Sequence, residues 1–166
     1  THWTTKGQLV LPWRRISSWE RGEPPELRSA IPPILFRAAL CVALLWQWER
    51  WADAAIAMYL GVGRPGEVHE ARWGDVHFPH RVEPWDTTLR DTCVIRVALP
   101  KTRWKGGGRQ QFLLIDDTTA VSWLHRRSLV HTSEEKLWPW GPDAWSRRLD
   151  ALLHAVGLTS SPYTAA

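Results

Sequence analysis

Cysteine is too scarce in this chain to build a fold on. Of 166 residues only Cys41 and Cys93 carry thiols. They stand far apart, Cys41 in an apolar run of helical period and Cys93 in a strand-like run. Both therefore read as buried thiols rather than as a disulfide or a metal pair. The seven histidines are scattered, without the close spacing of a zinc site, so no metal is expected. No segment has the pattern of a signal peptide. The long apolar stretch over residues 31–60 is interrupted by Arg37, Gln47, Glu49, Arg50 and Asp53, which argues against a membrane span. No internal repeat is present. The sequence opens on Thr1 and closes on "SPYTAA", and it reads as a piece of a longer protein.

What is there suits one globular domain with a real core, with 44% hydrophobic and 23% charged residues. The net charge of +4 permits a nucleic acid or another anionic partner without requiring one. Thirteen tryptophans are spread through the chain. Their spread favours a Trp-rich core and core rim over stacking on bases.

Pro12, Gly22, Pro24 and Pro25 break up the first part of the chain, so residues 1–25 read as a lead-in segment or linker, with a short helix at "PPELRSA". From Ile31 to Leu60 apolar residues recur near every 3.6 positions. The pattern predicts one helix, or two with a break near "WQWERW", started by Pro32 and Pro33 and ended by Gly61 and Gly63. Pro65 opens a short helix running to about Trp73, and a loop with Pro79 and Pro84 follows. Residues 92–100, "TCVIRVALP", alternate as a strand, and "QFLLID" at 111–116 is a second. Together they make a hairpin whose wide tip is "KTRWKGGGRQ". Asp116 or Asp117 then caps a helix through about Leu129. The last helix has Pro142 in its first turn, a periodic run from Ala144 to Val156, and Gly157 after its end. The fold class is α+β, mostly helical, with helices packed around a small β-hairpin.

Two places carry chemistry. Arg64 falls where the apolar helical run stops and the short helix begins. Its planar guanidinium matches two phosphate oxygens at once, and a helix start points free N–H groups the same way. Glu67, one turn on, is placed to hold Arg64 in one rotamer. The plainer alternative is a surface ion pair worth under ~1 kcal/mol. The hairpin tip gathers Lys101, Arg103, Lys105 and Arg109 around three consecutive glycines. Such a loop suits the groove of a nucleic acid. It equally suits a turn kept solvated by its charge.

"GVGRPGEVHEARWGDV", residues 61–76, resembles the first-arginine box of the tyrosine recombinase (phage integrase) family. The matching positions are Gly63-Arg64, Gly66-Glu67, Ala71, Trp73 and Asp75, with Ala71 standing where the family usually has leucine. "ALPKTRWKGGGRQQFLLID" resembles the family's next element, a β-hairpin with the catalytic lysine in a Lys-Thr or Lys-Gly turn, although its loop at Gly106–Gly108 is longer than the family's usual turn. "AVGLTSSPYTAA" looks like the approach to the second box. The resemblance covers most of residues 26–166, a partial catalytic domain. It reaches neither the His-x-x-Arg box nor the nucleophilic tyrosine, and Tyr163 stands too early to be that nucleophile.

The resemblance implies DNA strand cleavage and rejoining through a 3′-phosphotyrosyl link, with no metal or other cofactor. Arg64 would stabilise charge on the scissile phosphate, Lys101 would protonate the leaving 5′-oxygen, and Glu67 would orient Arg64. Arg103, Lys105 and Arg109 would bind duplex DNA. The implied partners are double-stranded DNA and, in a full-length protein, further copies of the chain on DNA, with no membrane. The implied location is intracellular, nuclear in a eukaryote or in the cytoplasm and nucleoid of a bacterium. Without its nucleophile the chain is expected not to complete the reaction alone. The other readings are a non-catalytic DNA-binding remnant of a mobile element and a Trp-rich helical interaction domain.

Overall fold

The computed structural model describes residues 31–79, 91–98 and 110–158. The lead-in segment, the helix expected at "PPELRSA", Tyr163 and the hairpin tip with Lys101, Arg103, Lys105 and Arg109 lie outside the described residues.

The apolar run is two helices, α1 (Pro33–Leu45) and α2 (Glu49–Tyr59). The break is a Schellman-type end. Gln47 takes a left-handed φ of 60°, its N–H donates to Leu44 at 3.1 Å, and the Trp48 N–H donates to Ala43 at 2.8 Å. Helix α1 buries Phe36, Ala39 and Ala43, one stripe at helical spacing. Cys41 lies two residues from that stripe on either side and is exposed, which corrects the expectation of a buried thiol. Cys93 is buried as expected, and burial pushes its thiol up to about 12.

Helix α3 (Pro65–Glu70) stops before Trp73, short of the expected end. The reason is tertiary. Residues after Glu70 turn extended and pair with a distant segment: Leu137 N–H donates to Ala71 at 3.0 Å, and Trp73 N–H to Glu135 at 2.9 Å. A 3-10 turn (Trp73–Asp75) then leads into β1 (Val76–His77), a strand with no signal in the sequence. The sheet is antiparallel in the order β1, β2 (Cys93–Val97), β3 (Gln111–Ile115), so a third strand joins the hairpin. Both hairpin strands are shorter than expected.

Asp117, not Asp116, caps α4 (Thr118–Ser128), accepting from Ala120 N–H at 2.8 Å. Helix α5 (Pro142–Ala155) starts on Pro142 and ends at Gly157, whose φ is +93°. Helix α1 packs on α2 and α5, and α2 packs on α3. Inside, Trp51 of α2 stacks on Trp145 of α5 with ring centres 4.9 Å apart, and Trp138 meets Trp145 edge-on at 5.4 Å. Trp51, Trp73, Trp138 and Trp145 are buried, so the described tryptophans chiefly build the core and its rim. Among the described residues no helix is long and apolar enough to cross a membrane.

Candidate nucleic-acid interface

The turn between α2 and α3 is built by close packing. A Cβ on Gly61 would come within 2.6 Å of the Ala57 carbonyl oxygen, and one on Gly63 within 2.6 Å of Leu113 Cδ1 and 2.8 Å of Val68 Cγ2. Glycine at these positions lets the turn lie directly on β3. Between them Val62 is held at a φ of 54°, a region that β-branched residues rarely enter. The chain therefore reaches Arg64 with little freedom.

Arg64 is an extended residue at the start of α3, and its side chain is 59% exposed while that of Glu67 is 9% exposed. Glu67 accepts from the Arg64 backbone N–H at 3.2 Å and from its Nη1 at 3.4 Å. The expected pair exists, and the buried carboxylate braces an arginine whose side chain is mostly exposed. The backbone of α3 adds little to an anion site. Pro65 has no N–H, and the N–H groups of Glu67 and Val68 both donate to the Arg64 carbonyl, at 2.9 and 3.1 Å. A phosphate role for this turn rests on the Arg64 side chain, not on the helix start.

The rest of the box is structural. Asp75 is buried, accepting from Arg72 N–H at 3.0 Å and from Arg96 Nη2 at 2.7 Å. Trp73 stacks on His131 with ring centres 5.1 Å apart. His69 is buried beside Trp138 and Trp145, and desolvation lowers its pKa, which favours the neutral ring. Ala71 is buried, and its carbonyl accepts from the Leu137 N–H. Tyr59 is committed too, since its hydroxyl donates to the Ile31 carbonyl at 2.9 Å and its ring stacks on Phe36.

A second charged cluster has no counterpart in the sequence motifs. At the N-terminal end of α2, fully buried Asp53 accepts from Trp123 Nε1 at 2.8 Å and from Arg127 Nε at 3.1 Å. Arg127 also reaches Glu49 at 2.5 Å. Arg50 bonds the Lys136 carbonyl at 2.9 Å and pairs with Glu135. Hydrogen bonds from Thr132 and Arg50 hold the Glu135 carboxyl down at about 2. Arg148 lies nearby among indole rings. No spacing rule joins positions so far apart in sequence. The local signal is the set of charges Glu49, Arg50 and Asp53, which interrupts the apolar helical stretch.

Among the described residues no cluster of three His, Cys, Asp or Glu side chains forms a potential metal site. No protein-family model, curated protein or solved structure matches this chain.

Proposed function

We propose that the chain is the DNA-binding part of a catalytic domain of the tyrosine recombinase type. Arg64 contacts the non-bridging oxygens of a backbone phosphate, and Glu67 holds it in place. Lys101 serves as the acid for the leaving 5′-oxygen, and Arg103, Lys105 and Arg109 follow the phosphate backbone. The nucleophile and the second arginine of such a reaction are assigned to no residue of this sequence.

The observation that carries this reading is where the Arg64 turn rests. Gly63 lies against Leu113. Leu113 pairs with Ile95, two positions from the last pair before the tip, Val97 with Gln111. At about 3.4 Å per residue the last strand pair, Val97 with Gln111, lies within roughly 7 Å of that contact. An exposed, braced arginine whose turn rests near the last strand pair, with four cations in the sequence between those strands, suits a phosphate backbone better than a lone ion pair does.

Duplex binding measured against salt tests it. The parent is expected to bind weakly and salt-sensitively. Replacing Lys105 and Arg109 together with alanine should flatten the slope of log K against log salt by about 1.8, or about 0.9 for each phosphate no longer neutralised. Arg64→Ala should weaken binding less, because it removes one positioning group. An unchanged slope in the double variant would leave the loop as a solvated turn and remove most support for a DNA-contacting domain. Incubated with supercoiled plasmid, the chain alone is expected to give neither relaxation nor a covalent adduct.

A further inference from the structure

At the opposite end of α2 from Arg64, an 11-residue helix away or about 16 Å, the structure has a cavity of about 150 Å³. It opens where the α1–α2 turn, the last turn of α4 and the middle of α5 meet. Trp48 and Trp140 wall it, and Glu49, Arg50, Arg127 and Arg148 line it.

The arginines are not equivalent. Arg127 is paired with Glu49 and Asp53, and Arg50 with Glu135. Arg148 makes no hydrogen bond and no ion pair with any described residue, and its Nη1 is shut off from solvent with no acceptor. Three indoles hold it instead. Its guanidinium carbon lies 4.4 Å from the ring centre of Trp140, 5.1 Å from Trp138 and 5.4 Å from Trp48. Such contacts orient a planar cation without neutralising it. Nη1 is closed to a ligand as it is to water, so the donors left for an acceptor are Nε and Nη2, which are neither paired nor shut off.

We infer that this cavity is a binding site for a monocarboxylate carried on an apolar ring. The carboxylate pairs with the Arg148 fork, which fits two oxygens in one plane. The ring lies against Trp48 and Trp140. The cavity is open to solvent, and its volume of about 150 Å³ bounds the body that fits between the two indoles to roughly one small ring. The charges decide the anion. Around the cavity Glu49 and Asp53 pair with Arg127 and Glu135 with Arg50, so Arg148 is the one lining arginine without a carboxylate partner; with three carboxylates beside three arginines, a monoanion adds one unbalanced charge and a dianion adds two. A phosphate dianion, strongly hydrated and next to Glu49, is the poorer occupant. This site stands apart from the Arg64 turn and does not depend on the DNA reading.

The test is a titration of the full chain with benzoate, acetate, benzyl alcohol and inorganic phosphate. It is followed by the NMR signals of the Arg148 Nε–H and the Trp48 and Trp140 indole N–H groups. Benzoate is expected to shift all three saturably in the millimolar range, more tightly than acetate, which lacks the ring, and than benzyl alcohol, which lacks the charge. Arg148→Lys keeps the charge but not the fork and should bind at least about tenfold more weakly. Trp140→Ala, at an exposed ring, should weaken benzoate more than acetate, and it keeps the proposal testable if replacing Arg148 unfolds the chain. Four results would overturn it: no shift with benzoate, equal binding of benzyl alcohol, tighter binding of phosphate, or an Arg148→Lys variant that titrates as the parent does.

Discussion

Val62 and Asp53 are two described residues whose local chemistry runs against the fold. Val62 is exposed in the left-handed region at a φ of 54°, where a β-branched side chain crowds its own backbone. Relief of that strain by Val62→Gly should raise stability by about 1 kcal/mol, or roughly 2–4 °C in melting temperature for a chain of this size. A lower melting temperature would show that the Val62 side chain makes a contact worth more than its strain. Asp53 has a different cost. Burial pushes its carboxyl up to about 6 from 3.8, against the opposing pull of Arg127 and Trp123. Between about pH 4 and 6 the folded chain therefore holds this proton more tightly than the unfolded chain. The contribution of Asp53 to stability thus falls as pH rises through that window, by on the order of 2–3 kcal/mol. Urea unfolding of the parent and of Asp53→Asn at about pH 4 and about pH 7 measures it. The stability of the parent relative to the variant should drop between the two pH values, and a constant difference would place the titration elsewhere.

At the scale of elements, two helix ends share one geometry with different residues. Helix α5 ends with the Gly157 N–H donating to His154 at 3.0 Å and the Leu158 N–H to Leu153 at 2.9 Å. Helix α1 ends the same way, with Gln47 where α5 has Gly157. The glycine made the end of α5 legible. The glutamine left the α1 break open, because a left-handed glutamine has no sequence signature. Gln47→Gly should therefore stabilise the chain by about 1 kcal/mol, read as a higher urea midpoint with unchanged slope. A changed slope would mean that the break itself had altered. The α2–α3 turn was legible for a like reason, since glycines at 61 and 63 followed by Pro65 stop one helix and start another within five residues.

On the scale of the whole molecule, stacked tryptophans tie the helices together. Trp51 joins α2 to α5 through Trp145, and both rings are buried. Trp51→Ala should cost about 3–5 kcal/mol, seen as a large drop in the denaturation midpoint by near-ultraviolet circular dichroism. A loss below about 1 kcal/mol would mean that the neighbours close the cavity, and that the core is less tightly packed than its ring stacking indicates.

By itself the sequence determined what acts over a few residues. Helical period, the Pro65 and Pro142 starts, the Asp117 cap and the Gly157 end set most elements and their order, and the i,i+3 spacing set the Arg64–Glu67 pair. These are effects between atoms that the backbone keeps close in any fold. Tertiary structure decided where partners lie far apart in the chain. The early end of α3 comes from pairing of residues 71–74 with 133–137, and β1 exists because β2 is there to pair with it. Which face α1 buries, and so the exposure of Cys41, was set by the packing of α2 and α5 against it. The arginine cluster joins residues as far apart as Arg50 and Lys136, 86 positions, through hydrogen bonds that exist only once the helices have packed.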